Sequence, residues 1–256
     1  MSDQIIGMRE WFETPPGQYL LAWEQAQLDR ALSDIFGYHA LQLGLPELDT
    51  LRTNRMPHKW LAVREPHDGA QAAPNLVTDF SALPFAANSL DLVVLPHSLE
   101  LNTDPHATLR EVERVLVPEG RVVICCLNPA SLWGLRQRRA HLYRRLGWGK
   151  LFLPDAGDFI GYRRLRDWLR LLSFEVESSS FGCYKPALST EKWLGRSDWM
   201  DSAGARWWPI FGAAYCVVAV KRVRGIKLVG QAWRTAATMA TAPVPVANRS
   251  HRESSE

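Results

Sequence analysis

The sequence predicts an open α/β fold on a mostly parallel sheet, and three adjacent stretches predict it. The first is a short apolar strand at Leu76 and Val77 that ends on a carboxylate, Asp79. After it, Leu83, Pro84 and Phe85 make a tight apolar turn, because proline fixes its own φ and turns the preceding residue away from helix. The second stretch, residues 89–95 (SLDLVVL), is a strand with a centre too apolar for an exposed edge. The third begins at Asp104, a helix cap followed by Pro105 at a first position where a missing N–H costs nothing. Leu109, Val112, Val115 and Leu116 then recur at helical spacing and face a core. Pro118, Glu119 and Gly120 close that helix, and residues 121–127 form a further strand. Strand, strand, helix and strand with buried character define an open α/β sheet.

The flanking elements fall in order around this centre. Residues 19–36 read as an amphipathic helix with Leu20, Trp23, Leu28, Ala31 and Ile35 inward, ended by Gly37. Residues 40–44 make the first strand, 60–63 the second and 75–78 the third. Leu165, Trp168, Leu169 and Leu172 put a strong helix over 162–172. Residues 174–178 alternate as a strand, and 214–221 (AYCVVAVK) form the last one. Two connections, 128–161 and 181–212, are longer than such a sheet requires and open on its carboxyl side, where loops carry specificity. The organisation expected is one domain over 1–222, with those two connections as lids, and a basic, disordered tail over 223–256.

Composition narrows the class. At 46% hydrophobic and 22% charged, 256 residues fill one globular α/β domain. No apolar run reaches the ~18 residues that span a bilayer, and the N-terminus lacks the basic-then-apolar order of a signal peptide. The cysteines Cys125, Cys126, Cys183 and Cys216 form no Cys-x-x-Cys pair, so free thiols in a reducing cytosol are expected and no metal site is. The formal charge of +3 is unevenly spread. Lys221, Arg222, Arg224, Lys227, Arg234, Arg249 and Arg252 against Glu253 and Glu256 leave residues 1–220 at about −2.

Asp79, the Leu83–Pro84–Phe85 turn, Asp91, the Arg110–Glu111 pair, Arg114–Val115–Leu116 and the Pro-Glu-Gly turn together resemble the core of class I S-adenosylmethionine (SAM)-dependent methyltransferases. The branch is the type-11, ubiquinone-methyltransferase-like one. The runs CLNPASLWGLR and WFETPPGQYLLAWEQ are similar, more narrowly, to a YafS-like group of bacterial methyltransferases. The resemblance implies a Rossmann-like, seven-stranded sheet with helices on both faces and its last strand antiparallel, between the fifth and sixth. It also implies SAM as cofactor and transfer of its methyl group by direct displacement.

Carried over residue by residue, the resemblance gives Asp79 the exocyclic amine of adenine and the Phe80 N–H the ring. Leu95 and Pro96 would border the cofactor at the end of the fourth strand. Asp79 can instead cap its own loop by accepting from Ser81 and Ala82. Family members carry a Gly-x-Gly-x-Gly loop after the first strand; here only Gly44 of Leu43-Gly44-Leu45-Pro46 remains, and Pro46 removes a donor. Gly44 therefore either passes under the methionine part of SAM or is a plain strand-end glycine. Glu65 is the carboxylate available for the ribose hydroxyls, or a surface charge. His97 is a candidate general base, its pKa suited to neutral pH, and Asn128 a candidate for orienting substrate. Both can equally be turn residues held by backbone.

In the first long connection, Arg136, Arg138, Arg139, Arg144 and Arg145 cluster around Leu132, Leu135, Leu142 and Leu146. In the second, Trp193, Trp199, Trp207 and Trp208 crowd together. Such segments suit a cap over a small-molecule or lipid-like acceptor, or, with the tail, a face on an anionic membrane. A cytoplasmic protein, peripheral to the inner membrane face, is the matching location. Two other readings stay open: a pseudoenzyme whose reduced glycine loop serves binding alone, and a methyltransferase acting on RNA. Nucleic acid is the weaker partner, because the tail offers one aromatic, Trp233, for stacking.

Overall fold

A computed structural model describes residues 7–8, 10–65, 74–145, 152–153, 159–186, 197 and 199–223, with backbone alone for 143–145. The chain divides into two units, Met1–Val223 and Arg224–Glu256, and the second lies outside the described residues. So do Leu146, Trp193 and Trp233, named above.

The sheet has seven strands: β1 (His39–Leu43), β2 (His58–Val63), β3 (Leu76–Val77), β4 (Leu90–Pro96), β5 (Leu116–Leu127), β6 (Phe174–Gly182) and β7 (Ala214–Lys221). Their order is β3-β2-β1-β4-β5-β7-β6. Every pair from β3 to β5 is parallel, and β7 runs antiparallel between β5 and β6. Strand alternation splits the core in two. Leu92, Val94, Val123, Cys125 and Leu127 face one side; Val93, Leu95, Val122, Ile124 and Cys126 face the other. Helix α1 (Pro15–Leu32) covers the first side with Leu20, Leu28 and Leu32. Helices α2 (Pro105–Val115) and α4 (Tyr162–Leu171) cover the second with Leu109, Val112, Leu165 and Leu169. Each such side chain, fully buried, stabilises the fold by about 1.5–3 kcal/mol. Two elements belong to the long connections: α3 (Leu132–Arg145) and α5 (Trp199–Trp207), the latter followed by a 3₁₀ turn at Pro209–Phe211.

Three boundaries differ from the periodicity, each for a local reason. Helix α1 begins at Pro15, not at residue 19, because Thr14 accepts from the Gly17 N–H and the prolines occupy first-turn positions that need no donor. Its buried line is Leu20, Glu24, Leu28 and Leu32, so a glutamate stands in the middle of the inner face. Strand β5 starts at Leu116, which pairs with Leu90; the residues of the Pro-Glu-Gly turn are taken up as a register shift, with Glu119 at φ 65°. Strand β6 continues to Gly182 because β7 pairs with it down to Ala214.

The cysteine expectation is corrected. Cys125 and Cys216 are directly opposed on β5 and β7 and form a disulfide, while Cys126 and Cys183 are buried free thiols. Neighbouring strand residues point to opposite faces, which is why Cys125 meets Cys216 and Cys126 does not. Among the described residues no helix is long and apolar enough to cross a membrane.

The residues of the sequence motif turn out to be fasteners. Arg114 donates to the carbonyls of Leu83 and Phe85 and to Glu111, whose other bond accepts the Leu83 N–H at 2.8 Å. Asp91 Oδ2 accepts the N–H groups of Tyr38 (2.8 Å) and His39 (2.9 Å), locking the entry of β1 onto β4. Removing that carboxylate strands two backbone donors. Asp91→Ala should lower stability by about 1.5–3 kcal/mol in urea denaturation, the usual range for hydrogen bonds to a charged group, and Asp91→Asn by clearly less.

Candidate functional site

In open α/β sheets, ligands collect at the carboxyl ends of the strands. That rim carries a cleft of about 610 Å³ lined by Met8, the loop residues Gly44 to Glu47, Val63, Arg64, Glu65, Phe80, Ser98 and Leu101. The loop takes an unusual form. Gly44 sits at φ 76° and Leu45 at φ 46°, a left-handed pair that needs support at the non-glycine position. Gln42, buried in β1, supplies it. Its Nε2 donates to the carbonyls of Gly44 (3.1 Å), Leu45 (2.9 Å) and Leu48 (2.8 Å), while its Oε1 accepts from the Thr50 backbone and hydroxyl. One amide side chain thus shapes the loop that several glycines shape in the resembling family. A Cβ on Gly44 would stand 3.0 Å from Ser98 Oγ and 3.6 Å from the Phe80 ring. Ser98 itself donates to the Leu43 carbonyl, tying the end of β4 to the end of β1.

The residues present suit SAM. Val63, Phe80, Leu45 and Leu101 give apolar walls for a flat base, Glu47 and Glu65 give carboxylates, and Arg64 has a buried Nε–H without an acceptor among the described residues. The Arg64 guanidinium lies 5.1 Å from the Phe80 ring centroid and 3.7 Å from Asp79 Oδ1.

The predicted residues divide. Gly44, Glu65 and Phe80 line the cleft. Asp79 stands just outside its lining, mostly exposed; it accepts the Ser81 N–H at 3.0 Å, the loop-capping bond, which together with Arg64 holds its carboxyl below the usual range. Leu95 is buried in the second core cluster and presents only backbone to the rim, and Pro96 likewise lies off the cleft.

His97 is placed differently from a solvent-facing base. It is fully buried at φ 52°, with Nε2 2.7 Å from Glu24 Oε1 and Nδ1 2.8 Å from Glu100 Oε2. Glu100 Oε1 also accepts the Leu127 N–H at 2.6 Å, whereas Glu24 Oε2 is buried without a partner. Both imidazole nitrogens are engaged, so neither is offered to the cleft. Burial alone would lower the His97 pKa, but the two carboxylates outweigh it and push it up to about 10. Burial raises Glu100, only partly offset by His97. Asn128 is likewise corrected: its Nδ2 donates to the carbonyls of Ile210 (2.8 Å) and Gly212 (2.9 Å), so it holds the second long connection against β5.

Sequence reasoning missed Gln42, Ser98, Glu24 and Glu100. For Glu24 and Gln42 a signal existed: each is a polar residue at an inward position of an otherwise apolar element.

Fold and cleft together are those of a class I methyltransferase. The methyltransferase domain family model matches residues 57–124. The chain is 33% identical to the Escherichia coli (strain K12) protein YafS over 66% of each chain. It is also 33% identical to the ubiquinone/menaquinone biosynthesis C-methyltransferase UbiE of Burkholderia vietnamiensis, over 41% of this chain and 42% of that one. The aligned parts thus fall short of two thirds of these relatives. A solved SAM-dependent methyltransferase from Thermotoga maritima superposes with a TM-score of 0.55 at 14% identity, covering 84% of this chain and 94% of that one, a likeness of fold. The chain belongs to the class I SAM-dependent methyltransferase superfamily, in its type-11 branch with YafS.

A raised folded-state pKa means that His97 stabilises the fold fully below its unfolded value and loses that contribution as pH rises through the folded one. Glu100 acts in the same direction. The stability difference between the wild type and His97→Gln should therefore be largest near pH 6.5 and shrink toward pH 10 in urea titrations. A difference flat across that window would mean that His97 is held neutral.

Proposed function

We propose that this protein transfers a methyl group from SAM to a small-molecule or lipid-like acceptor. The observation that supports this best is the cleft at the ends of β1 and β2, in a chain whose residues 57–124 match the methyltransferase domain. SAM, when bound, supplies an electrophilic methyl group on a sulfonium. The chain does the holding. Gly44 lets backbone approach closely, Phe80 and Val63 flank a flat base, Asp79 accepts from its amine, and Glu65 takes ribose hydroxyls.

The proton side of the chemistry is indirect. His97, enclosed by Glu24 and Glu100, positions the ends of β4 and β5 and helix α1 around the cleft, and acts as a base only if α1 moves away. Alignment of the two reacting groups then supplies most of the rate. We infer a cytoplasmic location, with the arginines of α3 and the tail facing the inner membrane leaflet. The pseudoenzyme reading rests on the reduced glycine loop alone, and the RNA reading on the basic tail alone.

Titration calorimetry with S-adenosylhomocysteine tests the reading. The wild-type chain should bind it, and Asp79→Ala should weaken binding by about 1.5–3 kcal/mol without loss of fold, as for one hydrogen bond to a charged group. No binding by the wild type would sink the enzyme reading and leave the pseudoenzyme. Unchanged affinity in Asp79→Ala would make that residue a loop cap alone.

A further inference from the structure

A second cleft lies on the same rim of the sheet, past β5. It encloses about 1100 Å³, part of it open to solvent, between α3 and the segment from α5 to the 3₁₀ turn. Its walls include Leu132, Leu135, Trp199, Trp208 and Phe211, all of them exposed, between 48% and 67%. Large apolar side chains gathered around one concavity and left open to water mark a binding surface rather than a core.

The cleft is built, not incidental. Asn128 fixes the carbonyls of Ile210 and Gly212 on one side, the Tyr184 hydroxyl donates to the Pro209 carbonyl at 2.7 Å, and Trp133 Nε1 donates to the Lys185 carbonyl at 2.8 Å. The Asn128 and Trp133 bonds join the two long connections and the Tyr184 bond closes the second on itself, so the walls are held at a set spacing.

Its charge is one-sided. Arg138 is the only ionisable group with a full charge in the lining, and it forms no ion pair with any described residue. Asp201 on α5 is turned elsewhere: it accepts from the Tyr19 hydroxyl and the Tyr184 N–H, and lies 4.0 Å from Lys185. Arg136 and Arg139 add to the basic side on α3. A second copy of this chain would bring two such arginine faces together, which disfavours self-association.

We propose that this aromatic cleft binds an anionic amphiphile, its apolar chain among Leu135, Trp199, Trp208 and Phe211 and its carboxylate or phosphate on Arg138. Guanidinium suits that role because its planar donors match a carboxylate or phosphate edge in two parallel bonds. The proposal rests on the methyl-transfer reading only in making this amphiphile the acceptor; the binding site stands independently. The same chemistry is offered by a free fatty acid in solution and by an anionic lipid in a bilayer.

The test uses the full chain and dodecanoate, below its micelle concentration, in titration calorimetry, with dodecanol as the uncharged counterpart and phosphatidylglycerol vesicles against phosphatidylcholine vesicles. The wild type should prefer dodecanoate over dodecanol at least tenfold. Trp208→Ala should weaken both, and Arg138→Gln should remove the preference for the anion. Binding of phosphatidylglycerol vesicles that is lost in the same variants names the bilayer as the source; dodecanoate binding without it names solution. Circular dichroism verifies the fold of each variant, and Arg138 is exposed on α3, so that substitution leaves the core intact. Equal affinity for dodecanoate and dodecanol, or binding untouched by both substitutions, would overturn the proposal. Loss of S-adenosylhomocysteine binding with amphiphile binding kept would instead count against the methyl-transfer reading.

Discussion

The carboxyl end of β4 depends on one buried ionic contact, and much of the rim depends on the end of β4. His97 joins Glu24 of α1 to Glu100 of the following loop, and Glu100 reaches on to the Leu127 N–H at the end of β5. An N-terminal helix and two central strands are thus connected through a single imidazole. Buried charge is a poor source of net stability, since desolvation offsets most of the attraction. It is, however, demanding about geometry: removing one partner leaves the others unsatisfied. The positive φ of His97 belongs to the same account, because a strained backbone persists only where its surroundings over-determine it. What the cluster supplies is position, and Glu24 Oε2 is buried without a partner among the described residues.

Next to it, the loop after β1 shows how one fold feature is reached by other means. Gly-rich loops admit left-handed backbone at no steric penalty. Here a single glycine is followed by Leu45, whose left-handed conformation is held by carbonyl bonds to Gln42. The conformational freedom of glycine has been replaced by a buried hydrogen-bond network. Such a loop is more rigid and more vulnerable, because Gln42 serves three carbonyls and one threonine at once. Ser98 then fastens this loop to the β4 end, so the cofactor cleft and the Glu–His–Glu cluster share a wall.

The sheet was legible because its signals are local. The apolar run of β4, the Asp104–Pro105 start of α2 and the spacing of Leu165 and Leu169 are each written within a dozen residues. The antiparallel β7 was not legible in this way; it came from the family resemblance. In the candidate site, Gly44, Glu65 and Phe80 line one cleft, and their place at strand ends is what made them legible. His97 and Asn128 were read as reactive because they also follow strand ends, yet both are consumed by partners 73 and 82 or 84 residues distant in sequence. Periodicity carries no record of such pairings. Glu24 gave the one available hint, a carboxylate in line with Leu20 and Leu28, and its meaning required knowing what α1 packs against.

The two clefts differ in how far general chemistry constrains them. On the side of the Gly44 cleft the family implies SAM as cofactor, and a crevice, a close-approach glycine and a ring wall suit it. On the other side of β4 and β5 the walls come from connections whose length and composition are free to vary while the sheet stays the same. There the occupant must be read from the lining alone: large apolar surface left in water, and one arginine that no described acid pairs. Those two features act on different parts of a ligand, the first on a chain and the second on a head group. Their spacing, set by the Asn128, Tyr184 and Trp133 bonds, is therefore the quantity that decides specificity. A protein that needed only to shield a core would have buried those tryptophans.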